Sequence, residues 1–254
     1  MSPPSYMTTS WDDGHPLDLR IAEMLAKHGL TGTFYAPRNA ETGVMPVAHL
    51  EELGRNFEIG AHTLNHRVLT TVTDQEAKEE ILQSKRWVED VTGRPCRMFC
   101  PPRGKFTAAH VAIVQAAGFV GLRTTELASF DHPRLKLGVW LQPTTVQAHQ
   151  HGLIAFARNA ARRQSPGILW RALLHSGSRD WVRMARSTLD KVASQGGVFH
   201  LWGHAWEVDG HSQWQRLDEA MRLMSEHKGQ VIPLTNCDLT ERFRQATPAP
   251  SAAV

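Results

Sequence analysis

Two periodicities alternate along this chain: short runs of β-favouring residues and longer stretches with apolar residues at helical spacing. The run "YMTTSW" predicts a strand ending at Asp12, and "TGTFYAP", "FEIGAH" and "FVGLRTT" predict further strands. The stretches between them, such as "PLDLRIAEMLAKHG", predict helices. Alternating strands and helices are typical of βα units, so the pattern predicts an α/β fold around a parallel sheet.

Signals for helix ends support this division. Pro16 stands near the start of the first helix and Gly29 is a candidate C-cap. Thr73 is followed three residues later by Glu76, which is the spacing of a capping box at the start of the helix "DQEAKEEILQSKRWVEDVT". These signals predict defined helices rather than a continuous irregular segment.

The second half of the chain is less regular. We predict one strand in "LKLGVWLQP", helices around 152–163 and 180–194, a late strand in "GGVFHLWGH", a late helix in "WQRLDEAMRLMSEHKG" and a last strand in "QVIPL". There is no internal repeat and no linker that divides the chain. We therefore expect a single domain over 1–245 and a disordered tail over 246–254.

Composition narrows the class of protein. The chain has 254 residues with 41% hydrophobic and 21% charged residues, as in globular proteins. A net charge of +3 does not indicate a nucleic-acid-binding surface, and no apolar run of about 18 residues predicts a membrane span. The sequence shows no secretory signal, and three cysteines do not form a disulfide framework. We expect a cytoplasmic protein.

Polar, ligand-capable residues follow four of the predicted strands: Asp12 with Asp13, "AHTLNH", "CPPRGK" and "WGHAWE". Loops at the carboxyl ends of parallel strands lie on one face of such a fold, so these residues are expected to meet. In "HTLNH", His62 and His66 are four residues apart, which would place both imidazoles on one face of a helical turn. Two imidazoles and a carboxylate suit a hydrolytic metal site, although HxxxH alone also fits a surface histidine pair.

The pair Asp12–Asp13 has two interpretations. An Asp-Gly sequence is common in solvated turns and at helix N-caps. If Asp13 binds a cation instead, Asp12 can stay ionised beside it and act as a base. The presence of "HTLNH" in the same chain favours the interpretation that Asp13 binds a cation.

The motifs "SWDDGH", "HTLNH", "FCPPRG" and "LWGHAWE", in this order, resemble those of polysaccharide deacetylases of the NodB homology type, carbohydrate esterase family four. The resemblance spans residues 6–234 and implies a distorted (β/α) barrel, seven-stranded in many members. It implies metal-dependent removal of N- or O-acetyl groups from sugars. Zinc is the expected metal, and Co²⁺, Ni²⁺ or Fe²⁺ would also suit the ligands.

The resemblance also assigns roles to single residues. It implies that Asp12 is the catalytic base and that Asp13, His62 and His66 bind the metal. The general acid is a late histidine, for which His204 and His200 compete. We favour His204, since "HAWE" follows the strand end, and expect His200 to be a packed histidine within the strand.

The third motif departs from the family pattern. Family members commonly carry an arginine where this chain has Cys100, and that arginine orients the catalytic aspartate. The Arg103 side chain is a candidate replacement, and the Arg103 backbone N–H is implied as a donor to the oxyanion. Cys100 has no adjacent base in the sequence that would make it a nucleophile, and Cys96 with Cys100 lacks a second pair for a zinc site.

Several other residues flank the predicted site. The tryptophans Trp11, Trp202 and Trp206 are candidates for a sugar platform, with packing as the alternative. For His15 and Asn39 we expect capping roles, and for the basic run 158–163 a solvated helix face rather than a site for anionic substrates.

Three functions remain open at this point. The first is a deacetylase acting on a sugar or glycan intermediate, and the second is an amidohydrolase acting on a small cyclic amide or formamide. The third is a carbohydrate-binding barrel without catalysis, which the cysteine at position 100 motivates. We expect a carbohydrate or small acylated molecule as the partner, rather than a nucleic acid or a membrane.

Overall fold

The strand β1 (Ser5–Asp12) is buried at all eight positions because it pairs with other strands on both sides. A strand at the centre of a parallel sheet is covered on both faces, so it needs no alternation of polar and apolar residues. The computed structural model describes residues 4–150 and 180–246. Within these ranges β1 occupies the middle of a sheet flanked by helices.

Nine further strands complete the described sheet. They are β2 (Thr33–Ala36), β3 (Glu58–Ala61), β4 (Met98–Phe99), β5 (Gly121–Arg123), β6 (Arg134–Lys136), β7 (Val139–Gln142), β8 (Val146–Gln147), β9 (Gly197–Gly203) and β10 (Ile232–Pro233). The strand order is β6-β7-β5-β4-β3-β2-β1-β9-β8, and β10 pairs with the start of β1. Every described pairing is parallel except that of β6 with β7.

Eight α-helices accompany the sheet in the described residues. They are α1 (Asp18–Lys27), α2 (Val47–Asn56), α3 (Asp74–Thr92), α4 (Ala108–Ala116), α5 (Trp181–Gln195), α6 (Ala205–Gly210), α7 (Trp214–Glu226) and α8 (Asn236–Ala246). The predicted capping box is confirmed, since the Thr73 side chain accepts the Glu76 N–H and the Glu76 carboxylate accepts the Thr73 N–H. Short 3₁₀ turns cover Leu69–Thr71 and Pro102–Gly104.

The architecture confirms the prediction of a distorted (β/α) barrel. The described sheet has ten strands where seven were expected, because short strands such as β8 and β10 also pair with it. The single strand predicted in "LKLGVWLQP" is wrong: this segment folds back as the β6–β7 hairpin. Leu137 and Gly138 both have positive φ, 48° and 78°, as a two-residue hairpin turn requires.

Three described elements were not predicted: β8, the six-residue helix α6 and the C-terminal helix α8. The helix predicted around 152–163 lies outside the described residues, as does the tail predicted for 246–254 except Ala246, the last residue of α8. In the part of the chain that the structure describes, no helix is both long enough and apolar enough to cross a membrane.

The fold places the ends of five parallel strands at one edge of the sheet. Asp12 is the last residue of β1, Arg123 ends β5, and His62, Cys100 and His204 directly follow β3, β4 and β9. The polar groups of widely separated loops therefore share one region, as the strand pattern predicts.

Candidate active site

A carboxylate and two imidazoles converge at this edge. Asp13 Oδ1 lies 3.5 Å from His62 Nε2 and 3.2 Å from His66 Nε2, and the two imidazole centroids are 5.0 Å apart. Asp13 and His62 are buried, and His66 is partly exposed. The structure thus brings together all three predicted metal ligands.

Neighbouring groups orient two of these ligands. The Trp206 indole N–H donates to Asp13 Oδ2 at 2.9 Å, which leaves Oδ1 directed at the histidines. His62 Nδ1 lies 2.7 Å from the Cys100 carbonyl, so Nδ1 carries the proton and Nε2 offers a lone pair. Donation of the second ring nitrogen to a carbonyl is the usual support of a metal-binding histidine.

The spacing and chemistry of the three groups fit a divalent cation. Ligand atoms each about 2.0–2.2 Å from a tetrahedral metal are roughly 3.4 Å apart, close to the separations found here. Asp13 Oδ1 is buried and accepts no hydrogen bond from the described residues. Burial raises the pKa of Asp13, but the hydrogen bonds of His62 and His66 lower it by more than burial raises it. This carboxylate is therefore ionised. The donor set of two imidazoles and one carboxylate suits zinc and leaves positions open.

A second trio, Asp12, His62 and Cys100, also has ligand atoms within 4.8 Å of one another. It fits a metal less well because Asp12 is paired with Arg123 and His62 Nδ1 is bound to a carbonyl. Burial raises the pKa of the Cys100 thiol well above its ordinary value, against the opposing charge of Arg123. The thiol is therefore neutral, which also removes its role as a nucleophile.

The loop that carries the two histidines is not a helical turn, so that expectation is corrected. Thr63 and His66 have φ values of 56° and 53°, in the left-handed region. The imidazoles meet because this irregular loop reverses direction, rather than through the four-residue spacing of a helix.

The carboxylate of Asp12 forms a buried ion pair with Arg123, the last residue of β5. Arg103 was the candidate replacement for the family's arginine. Its side chain is exposed, so it does not pair with the buried Asp12. Cys100 Sγ lies 3.9 Å from Asp12 Oδ2, on the side away from the guanidinium. Arg123 was not among the predicted site residues; the signal in the sequence is a charged residue at the end of a strand that is otherwise apolar.

Charge balance keeps Asp12 ionised. Burial raises its pKa, but the Arg123 guanidinium, together with the neighbouring His62 and His204, outweighs burial and holds the pKa below its ordinary value. Asp12 Oδ2 is 3.9 Å from His204 Nε2. A carboxylate therefore faces an imidazole across the site.

His204 is oriented by Glu207, another residue that the sequence analysis did not single out. His204 Nδ1 is 2.6 Å from Glu207 Oε2, which also accepts the Gln147 amide at 2.9 Å. Burial lowers the pKa of His204, but the hydrogen bond to Glu207 and the charge of Asp12 raise it above its ordinary value. The protonated imidazole is thereby stabilised.

His200 is placed differently from His204. It lies within β9, with Nε2 2.8 Å from Ser10 Oγ and Nδ1 3.1 Å from the Pro143 carbonyl. Burial lowers the pKa of His200 to about 3, so the ring is neutral. Both ring nitrogens are used inside the core, as expected for a packed histidine.

The backbone of the "CPPRG" loop is turned sharply. Arg103 and Gly104 have φ values of 56° and 60°, and a Cβ at Gly104 would lie 2.0 Å from Thr125 Oγ1. The N–H groups of Gly104 and Lys105 donate to the carbonyls of Pro101 and Pro102, respectively. The Arg103 N–H donates to no backbone carbonyl in the described part of the chain. It is therefore available to a ligand.

The remaining flanking residues have mixed roles. Trp11 and Trp202 are buried in the core and Trp202 lies under the Arg123 guanidinium, which favours packing over a sugar platform. His15 Nδ1 accepts the Leu17 N–H at the start of α1, whereas Asn39 donates to Asn65 rather than capping a helix. The basic run 158–163 lies outside the described residues.

Comparisons with known proteins agree with the motifs. The polysaccharide deacetylase family profile matches residues 2–122. No curated protein matches the sequence. Among solved structures, a Mycobacterium smegmatis protein assigned to the polysaccharide deacetylases has 15% identity and a TM-score of 0.70, covering 100% of this chain and 97% of the other.

Two further structures share the fold. The carbohydrate esterase domain of a multidomain xylanase from the hindgut metagenome of Trinervitermes trinervoides has 13% identity and a TM-score of 0.57, covering 95% and 92%. BA3943 of Bacillus anthracis, described as a pseudoenzyme of the family, has 16% identity and a TM-score of 0.53, covering 94% and 66%. At these identities the likeness concerns the fold alone.

Proposed function

We propose that this chain is a metal-dependent hydrolase that removes an acetyl group from a sugar or glycan intermediate, since the polysaccharide deacetylase family profile matches residues 2–122. The observation that carries this proposal is the convergence of Asp13 Oδ1 with the Nε2 atoms of His62 and His66, next to the ion-paired Asp12.

In this proposal Asp13, His62 and His66 hold a divalent cation, zinc being the first candidate. The cation would supply an activated water and polarise the acetyl carbonyl. Asp12 accepts a proton as general base, for which its lowered pKa keeps it ionised. The Arg103 backbone N–H donates to the oxygen on which negative charge develops.

His204 is the proposed general acid. With Nδ1 bound to Glu207, its Nε2 carries the proton that faces the site, 3.9 Å from Asp12. Its raised pKa favours the protonated imidazole, which can protonate a departing amine or alcohol that would otherwise leave slowly.

The proposed substrate class is based on the family match, and the proposed compartment is based on the state of the cysteines. We propose an acetylated carbohydrate and a reducing compartment, the cytoplasm, because Cys96, Cys100 and Cys237 are all free thiols in the structure. A cyclic amide or formamide is the second candidate substrate, suggested by the "HAWE" segment that supplies Trp206 and Glu207.

The deciding experiment measures metal content by elemental analysis and acetate release from N-acetylated oligosaccharides. We expect about one metal per chain in the wild type, none in H62A/H66A, and a metal-loaded but inactive D12N. The exposed His49 provides the control H49A, which should retain metal and activity. Turnover of cyclic amides or formamides alone would replace the deacetylase, and sugar binding without any turnover would leave a binding barrel.

A further inference from the structure

The Glu80 side chain of α3 forms hydrogen bonds with the loop that carries both histidines. Glu80 Oε2 accepts the backbone N–H of Asn65 at 2.8 Å, and Glu80 Oε1 accepts the Asn65 side-chain amide at 2.7 Å. Asn65 immediately precedes His66. The two bonds fix both the peptide and the side chain of the residue before a predicted metal ligand.

The conformation held in this way is not one that the sequence adopts readily. Thr63 and His66 both have left-handed φ values, which are unfavourable for residues with a Cβ. From the other side, the Leu64 carbonyl accepts the N–H groups of Arg38 and Asn39 at 2.8 and 3.2 Å. The loop is therefore maintained by contacts from outside itself.

The two histidines depend on this loop to different degrees. The His62 ring is fixed directly, through Nδ1 and the Cys100 carbonyl. The His66 ring makes no hydrogen bond through Nδ1 within the described ranges, and its side chain is 24% exposed. The direction of its Nε2 is therefore set by the backbone that Glu80 grips.

We propose that Glu80 is a positioning residue that sets the metal affinity of the site by holding the Leu64–Asn65 peptide and the Asn65 side chain, directly before His66. This inference rests on the proposed function, since it requires that His66 binds a metal. Glu80 itself contacts neither metal nor substrate, and it acts only through Asn65.

Loss of this grip should leave the fold intact. Asn65 is exposed, and α3 is capped at its start by Thr73 and Glu76, so the helix does not depend on Glu80. Removal of surface hydrogen bonds away from the core changes stability little. The effect should appear in metal binding rather than in folding.

The test compares Co²⁺ and Zn²⁺ affinities of four variants by competition with a chelator, together with the melting temperature of the metal-free proteins. We expect E80A to bind each metal about 10–100-fold more weakly than wild type. E80Q keeps one acceptor and N65A keeps the backbone bond, so both should show smaller losses. E79A is the control, because Glu79 is the adjacent residue of α3 and its carboxylate accepts the side-chain amide of Gln75 on the same helix.

The outcomes separate this inference from the proposed function. Wild-type affinity in both E80A and N65A would overturn the inference while the metal site stands. An equal loss in E79A, or a melting temperature lowered in proportion to the loss, would also overturn it in favour of a general effect on α3. A wild-type protein that takes up no metal would overturn the proposed function and this inference together.

Discussion

The Arg123 guanidinium pairs with the Asp12 carboxylate across 111 residues of sequence, and both side chains are buried. The guanidinium carbon also lies 4.7 Å from the ring centroid of Trp202 and 5.3 Å from that of Tyr35. The strand β5 thus delivers the positive charge that the family carries in its third motif. Cys100, which stands at that motif position, contributes a neutral thiol instead.

Replacement of Arg123 by methionine should be costly for both stability and activity. It leaves the Asp12 charge buried without its partner, so we expect the free energy of unfolding to fall by about 3–5 kcal/mol. Urea denaturation measures this change. R103M removes an exposed arginine and should stay within about 0.5 kcal/mol of wild type. If R123M and R103M were equally stable, the Asp12–Arg123 ion pair would not contribute to the free energy of unfolding.

Glu207 should control the pH range of activity through His204. Its carboxylate raises the pKa of His204, so E207Q should lower that pKa. A general acid is lost as pH rises through its pKa, and the alkaline limb of the kcat/KM profile should therefore move to lower pH. The exposed Glu219 on α7 provides the control E219Q. An alkaline limb unmoved in E207Q would remove His204 from the role of acid.

The indole of Trp206 should contribute to metal binding. W206F keeps an aromatic ring but loses the N–H that holds Asp13 Oδ2, and we expect metal affinity to fall about 10–100-fold. W214F is a matched control, because the Trp214 indole donates instead to Asp209 on the surface. Isothermal titration of both metal-free proteins with Zn²⁺ distinguishes them, and equal affinities would argue against the orienting role.

Glu58 should make stability fall as pH rises. This side chain accepts hydrogen bonds from Thr33 Oγ1 at 2.5 Å and from the Cys237 N–H at 3.1 Å, and burial raises its pKa from 4.5 to about 7. The neutral acid is favoured in the folded state, so its contribution is complete below pH 4.5 and is lost as pH rises through about 7.

The loss amounts to at most about 3–4 kcal/mol, since each unit of pKa shift corresponds to about 1.4 kcal/mol. Urea denaturation at pH 5 and pH 8 should show a smaller pH effect in E58Q than in wild type. E51Q, at an exposed position of α2, should retain the wild-type dependence. A pH effect of the same size in E58Q would assign it to other groups.

Local sequence signals were sufficient for most of the scaffold. The apolar run ending at Asp12 and the strand ending before His62 are predicted because each is bounded by turn-forming or polar residues. The capping box at Thr73 and Glu76 is likewise a local interaction. These features depend on neighbours within a few residues, and they place Asp12, Asp13 and both histidines at one edge.

The remaining features depend on contacts between distant segments. The pairing of Arg123 with Asp12 requires the strand order, which no local pattern specifies. The prediction of a helical turn in "HTLNH" was wrong because the loop is held by contacts with distant segments. Glu80 accepts the Asn65 N–H, and the Leu64 carbonyl accepts the N–H groups of residues 38–39. Helix α6 has only six residues, too few to show a helical period.

Helix α6 also has an evolutionary consequence. Two adjacent residues of this helix contact different site residues: Trp206 donates to Asp13, and Glu207 is bound to His204. A substitution at the buried Val208 that rotates this segment would displace both contacts at once. The proposed cation binding and the proposed proton transfer would therefore both depend on a single element, and selection on either one would also act on the other.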